Sequence, residues 1–264
     1  MADYLKVALL FALEREARPW LKRSRALLRA TSDRRRLWWT VTASGEIAAG
    51  VIGPGEKLAR EGTRWVFNQF RPDVALVCGL AGALRPDLCV GDIVLAERLL
   101  DRRGAIVHRA RSEFLSLAER TGLPWRRTSG TTLERVLGRI EEKLELARES
   151  GADWVDMESA GVLSEAAERG IPAIAVRSIS DGVRRELPLD FNAAFDPERG
   201  WATGKILARV ARRPWSLPAL VRLERESRRA AVRLAEYLSV YAACLGECRF
   251  IASRAEKDLF AEVT

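Results

Sequence analysis

The chain reads as an α/β fold built around a largely buried sheet, on three observations. Short apolar runs at Val7–Phe11, Val74–Cys78 and Ala173–Ser178 have the length of strands covered on both faces. Segments of helical periodicity, Glu56–Phe70 and Glu158–Arg169, lie between such runs. Glycine and proline punctuate the changeovers, at Gly53-Pro54-Gly55, Arg71-Pro72-Asp73 and Gly170-Ile171-Pro172. Strand–helix–strand alternation of this kind argues for an α/β architecture.

Taken in order, Val7–Phe11 is the first buried strand, and a charged amphipathic segment follows from Glu14. Leu37–Ala43 and Ile47–Ile52 read as strands joined by a turn at Ser44-Gly45. Glu56–Phe70 places Leu58, Trp65 and Phe70 at helical spacing, and Val74–Cys78 is the next strand. Asp92–Ala96 is a strand after Val90-Gly91, and Ser112–Thr121 and Glu141–Ser150 are helical. Trp154–Asp156 is a short strand, Glu158–Arg169 a helix, and Ala173–Ser178 a strand that ends in Ser180-Asp181-Gly182. One α/β domain is expected over about residues 1–200. From Trp201 strand patterns vanish, and residues 201–264 read as a basic helical extension packing on that domain. Its helices are Thr203–Arg212 and Pro218–Leu238, divided by Pro214 and Pro218. Leu220, Leu223, Ala230, Leu234 and Leu238 fall on one side, with Arg222, Arg225, Arg229 and Arg233 elsewhere. That face suits packing on the core, or a peripheral membrane contact through basic amphipathic helices.

Composition narrows the class. With 264 residues and 48% hydrophobic content the chain can bury a substantial core. The 30% charged residues are interspersed, so the net charge of +8 is read as solubility. A nucleic-acid binder is disfavoured, because no motif or aromatic–basic interleaving accompanies the charge. The apolar run Val7–Leu13 is too short for a signal peptide and is followed by Glu14 and Glu16. No apolar stretch approaches the roughly 20 residues of a spanning helix, so a cytoplasmic protein is expected. Cys78 and Cys89 lie far from Cys244 and Cys248, and His108 is the single histidine. These read as reduced thiols, with no metal site.

Four places carry candidate chemistry, each just after a strand, where ligands gather in open α/β sheets. Glu14 and Glu16 follow the first strand, and either also satisfies the ordinary preference for acids at helix starts. Gly53-Pro54-Gly55 resembles part of a dinucleotide fingerprint, but Leu58 replaces the last glycine and no acidic partner follows at the expected distance. A tight turn that approaches a ligand remains. In Cys78-Gly79-Leu80-Ala81-Gly82-Ala83, small residues would let main-chain N–H groups reach a ligand or anion. Asp156-Met157-Glu158 and Ser180-Asp181 each put an acid at a strand end, separated by a helix long enough for a crossover.

Together these motifs resemble the nucleoside phosphorylase superfamily, especially methylthioadenosine/S-adenosylhomocysteine nucleosidases and hopanoid-associated phosphorylases. The likeness spans most of residues 6–190. It rests on ALEREA (12–17), GPGEKLA (53–59), RPDVALVCGLAGALRPDLCVGDIVLAE (71–97), VDMESAG (155–161) and GIPAIAVRSISDG (170–182). The basic tail, including ARRPWSLPALVRLERESRRA, resembles the hopanoid-associated branch. The resemblance implies a single-domain fold with a mixed, partly barrel-like central sheet flanked by helices, and a homodimer or higher homo-oligomer. It implies a purine nucleoside substrate, adenine leading, and no metal or organic cofactor. Glu158 would hold the ribose with Met157 and Val155 beside it, and Asp181 next to Ser180 would protonate the purine at N7. Glu16 would activate water, and Leu80, Ala81 and Gly82 would line the nucleoside or nucleophile site.

Two positions depart from the family pattern. Relatives often carry serine where Leu80 stands, a hydroxyl that phosphorylases use on phosphate. The aromatic base-stacking position falls on Leu133, counting from Ser129-Gly130, and Trp154 is the candidate to compensate. Hydrolysis is therefore expected over phosphorolysis, in which phosphate would be the co-substrate and an adenosyl-linked hopanoid a candidate substrate. A non-catalytic nucleoside-binding protein is the rival from another class, opposed by the joint presence of Glu16, Glu158 and Asp181.

Overall fold

The computed structural model describes residues 5–212 and 214–246. Cys248 lies outside these residues. From the N-terminus, β1 (Lys6–Phe11) leads through α1 (Glu14–Ser24) to β2 (Leu27–Ser32), β3 (Arg35–Thr42) and β4 (Gly45–Val51). Helix α2 (Glu56–Phe70) precedes β5 (Val74–Ala83), β6 (Ile93–Leu100) and β7 (Ile106–Arg109). Next come α3 (Ser112–Arg120), β8 (Arg126–Thr132), α4 (Ile140–Ser150), β9 (Trp154–Asp156), α5 (Ser159–Glu168) and β10 (Ala173–Asp181). A small hairpin of β11 (Phe195–Asp196) and β12 (Gly200–Trp201) precedes α6 (Thr203–Arg212) and α7 (Leu217–Gly246).

The main sheet runs β10-β6-β8-β9-β5-β1-β4-β3-β2, and β10 also pairs with β5. That extra pairing bends one end of the mixed sheet into a partly closed barrel, while β4, β3 and β2 extend outward. Strands β1, β5 and β10 are mutually parallel, with Leu9 opposite Leu76 and Leu76 opposite Ile174. Their side chains alternate between two cores. Val7, Leu9, Phe11, Leu76 and Val176 face one cluster, covered by Trp20 of α1, Phe114 of α3 and Leu238 of α7. Ala8, Leu10, Ala75, Val77 and Ala175 face the other, covered by Phe67 of α2 and Val162 of α5. Both faces are thus dry, which is why these strands read as continuous apolar runs.

Three strands of the main sheet escape the apolar-run criterion, as do the two-residue β11 and β12 outside it. Strand β2 lies at the sheet edge, with Leu27, Leu28 and Arg29 exposed. Strand β7 is a short hairpin arm on β6. Strand β8, Arg-Arg-Thr-Ser-Gly-Thr-Thr, is polar, yet Thr128 to Thr131 are buried in the barrel wall. Thr128 Oγ1 donates to the Leu95 carbonyl at 3.1 Å and accepts from the Trp154 indole at 2.9 Å. Gly130 is required there, because a Cβ would stand 2.2 Å from the Trp154 ring. Strand β5 is also longer than expected. Gly79 to Gly82 continue the ladder with β10, and Gly82 and Ala83 pair with β9. The expected glycine loop with free main-chain N–H groups is therefore corrected to a sheet-bonded strand.

Candidate active site

A cavity of about 190 Å³ opens at the carboxyl ends of β1, β5, β9 and β10. Glu16, Leu80, Ala81, Gly82, Val155, Met157, Glu158, Ser180 and Asp181 all line it. The sequence-selected acids from three separate segments thus meet at one cleft. Leu133 does not reach the cleft; it packs beside Leu84, Leu100 and Leu137 in a satellite cluster. Trp154 is fully buried with its indole committed to Thr128, so it cannot stack on a ligand. The wall near these positions is instead made by Arg135, Val136 and Leu137, with Leu187 and Trp201 from the segment before α6.

Local structure explains how each acid is aimed. Glu16 sits in the first turn of α1 and is 8% exposed. Its Oε2 is buried and accepts no hydrogen bond from the described residues. Gly79 makes room for it, since a Cβ there would lie 3.1 Å from that oxygen and 2.3 Å from Arg177 Nη1. Glu158 is the residue before α5, and its Oε1 accepts the Gly55 N–H at 2.9 Å. Gly55, with φ of 86°, adopts a backbone that side chains resist, and this turns its N–H toward the carboxylate. The Gly53-Pro54-Gly55 turn therefore holds an acid of the cleft.

Asp181 is placed by a β-bulge. Strand β10 slips register on β5 between Ile179 and Asp181, so Asp181 stands opposite Gly82. Bulges commonly re-aim side chains beside active sites.

Asp156 proves to be a structural acid. Its Oδ1 accepts from Thr132 Oγ1 at 2.7 Å and from the Ser159 N–H at 3.2 Å, and its Oδ2 from Ser159 Oγ at 2.5 Å. It also forms an ion pair with Arg177 in which both side chains are 1% exposed. The network pins the start of α5 and with it Glu158.

Lys143 was not a sequence candidate. It projects from α4 into the cavity wall, 1% exposed, with Nζ 2.5 Å from Asp181 Oδ2. Its spacing carried a clue: Lys143, Leu146 and Ser150 share the buried face of α4. Arg177 was likewise missed, inside a run read as apolar.

Electrostatics separate the acids. Burial pushes the Glu158 carboxyl up to about 7, and the negative charges of Asp156 and Glu16 add to it, while Arg177 and the Gly55 N–H pull the other way. Burial also raises Glu16, against Arg15 and Arg177. Carboxyls shifted upward by burial are suited to general acid–base chemistry.

The barrel-ended mixed sheet and its acid-lined cleft define an α/β protein of nucleoside phosphorylase-like fold. The chain belongs to the phosphorylase superfamily, whose sequence model matches residues 7–212, and membership places it among enzymes that act on nucleosides. Among solved structures, a 5′-methylthioadenosine/S-adenosyl homocysteine nucleosidase of Helicobacter pylori is similar with a TM-score of 0.71 at 18% identity, covering 90% of this chain and 98% of that one. Futalosine hydrolase of the same organism matches with TM-score 0.71 at 19% identity, covering 92% and 99%. The corresponding nucleosidase of S. pneumoniae, solved with a transition-state inhibitor, matches with TM-score 0.71 at 15% identity over 91% and 100%. No curated protein sequence matches the chain.

Proposed function

We propose that the protein hydrolyses the N-glycosidic bond of a purine nucleoside. The observation that carries this reading is the convergence of Glu16, Glu158 and Asp181 on one small cleft. A purine leaves poorly as an anion, so an acid at the base must supply a proton, and Asp181 takes this role. Positive charge grows on the ribose ring as the bond breaks, and Glu158 stabilises it while accepting from the sugar hydroxyls. Glu16, with a buried carboxylate oxygen that accepts no protein hydrogen bond among the described residues, takes a proton from the attacking water. Leu80 leaves no hydroxyl for phosphate at the position where relatives carry serine.

Adenine is the favoured base. The three protons of the Lys143 ammonium are committed to Asp181, Gly182 and Arg185, which leaves none for a 6-oxo group. Asp181 accepts, which suits a 6-amino group. Phosphorolysis is the second reading, favoured by Arg15 and Arg135 in the cavity wall, where they could hold an anion. Base release from adenosine and 5′-methylthioadenosine, with and without phosphate, decides between them. We expect free base and free sugar without phosphate; a strict phosphate requirement with formation of a sugar 1-phosphate would refute hydrolysis. Glu158→Gln and Asp181→Asn should each lower turnover by at least about 10²-fold. Near-normal base release by both would remove the assigned roles.

We also propose a peripheral contact with an anionic membrane surface through the start of α7. Trp215, Leu217 and Val221 are 74%, 47% and 48% exposed beside the exposed Arg222 and Arg225. Co-sedimentation with phosphatidylglycerol vesicles should fall sharply in a Trp215→Ser/Leu217→Ser/Val221→Ser variant. Equal sedimentation of variant and parent would end this proposal.

A further inference from the structure

Lys143 lies against the acid assigned to the base, and its surroundings say more than that it neutralises a charge. Its ammonium meets three acceptors: Asp181 Oδ2 at 2.5 Å, the Gly182 carbonyl at 3.0 Å and the Arg185 carbonyl at 3.1 Å. Three acceptors for three N–H bonds identify a cation. Asp181 accepts on both oxygens, from Lys143 on Oδ2 and from the Ser180 hydroxyl at 2.8 Å on Oδ1. Of the two donors that face the carboxylate, Lys143 Nζ carries the more acidic proton, since a serine hydroxyl is a far weaker acid than an ammonium.

We propose that Lys143 is the proton store from which Asp181 serves the departing base, an inference that rests on the nucleosidase reading above. As the C–N bond breaks, its electron pair moves onto the base. A proton passes from Lys143 Nζ to Asp181 Oδ2, and the carboxyl so formed passes it to the ring nitrogen. Water adds to the sugar carbon and yields its proton to Glu16. The cycle leaves a neutral Lys143 amine and a protonated Glu16; after the products depart, solvent carries the proton from Glu16 back to Lys143. Burial favours this transfer. An ion pair at 1% and 12% side-chain exposure is costly to keep charged once a flat base covers it and expels water. Both partners become neutral in the same step. The guanidinium of Arg185, which also faces Asp181, is drawn away by an ion pair with Glu226 of α7. The remaining charged groups of the cavity are Arg15, Glu16, Arg135, Asp156 and Glu158. Lys143 is thus a positioning residue that acts through Asp181.

The test uses the full chain and two substrates, 5′-methylthioadenosine and 4-nitrophenyl β-D-ribofuranoside, whose leaving group departs without protonation. Lys143→Gln keeps an N–H donor for Asp181 but has no proton to transfer. We expect at least about a 10²-fold loss of kcat on the purine nucleoside, with a loss at least ten times smaller on the nitrophenyl riboside. Lys143→Gln added to Asp181→Asn should cost little beyond Asp181→Asn alone, because the two act in series. A Lys143→Gln enzyme with parental purine turnover would overturn the proposal. So would equal losses on both substrates, the mark of a purely structural lysine. A parent that releases no base from either substrate would instead refute the nucleosidase reading on which the inference stands. Lys143→Met/Asp181→Asn removes the charged pair together and serves as the folded comparator should Lys143→Gln lose its thermal transition.

Discussion

Glu158 shows how a single buried residue sets stability and function against each other. Its folded pKa, about 7, lies above the unfolded value of 4.5, so the folded chain holds a proton that the unfolded chain releases. That contribution to stability is fully present below pH 4.5 and is lost as pH rises through about 7. The linkage amounts to at most about 3 kcal/mol for a shift of this size. Glu158→Gln mimics the protonated form and keeps an acceptor for the Gly55 N–H. Its melting temperature should match the parent near pH 4.5 and exceed it by several degrees at pH 8. Under the role proposed for Glu158, activity should run the opposite way, because a neutral carboxyl would not stabilise positive charge on the sugar. Parental kcat/KM should therefore climb through the pH range in which stability declines. Equal melting curves for Glu158→Gln and the parent at pH 8 would show that the burial of this carboxyl is not costing the fold.

Elements were legible where their chemistry is uniform and obscure where it is mixed. Strands β1, β5 and β10 are buried on both faces, so their apolar runs betray them. Strand β8 resists the same reading because its hydroxyls are satisfied inside the barrel wall, Thr128 by Leu95 and Trp154, and polar composition then mimics a loop. The error at Cys78–Ala83 has a related cause. Glycine marks a loop in isolation, yet Gly79 makes room for side chains from other segments, Arg177 and Glu16. A need for space across the sheet leaves no trace in local pattern. The position assigned to base stacking failed for a third reason. Counting from Ser129-Gly130 assumes a fixed path after β8, whereas the chain turns so that Arg135 to Leu137, not Leu133, meet the cavity. Acids at strand ends were the most legible part of the site, because strand exits are read from hydrophobicity and the acid follows at once. Lys143 was the least, because a helical lysine reads as solvated until the sheet behind it is known.

At the scale of the molecule, α7 determines whether the chain after residue 200 is an appendage or part of the core. Leu234, Tyr237, Leu238, Tyr241 and Leu245 are buried in the same cluster as β1, β5 and β10. The Tyr241 hydroxyl donates to the Phe114 carbonyl of α3 at 2.8 Å, and the Tyr237 and Tyr241 rings stack at 5.5 Å. Glu226 holds Arg185, and Ser227 lines the candidate cavity, so the same helix reaches the site. A helix that supplies one wall of a shared core cannot unfold while the sheet beneath it stays native, since its departure would bare Leu9, Leu76 and Val176. Unfolding should accordingly be a single cooperative transition, with tryptophan fluorescence and far-ultraviolet dichroism superimposed. Leu238→Ala, at a fully buried site, should destabilise the whole transition by about 2–5 kcal/mol. Val221→Ala, at a position 48% exposed on the same helix, should change it by less than about 0.5 kcal/mol. If α7 were a separate unit, Leu238→Ala would split the curve, with an early step in dichroism and an unshifted late one. Base release would fall with the early step, because the cavity loses Ser227 and the anchor for Arg185 when α7 leaves.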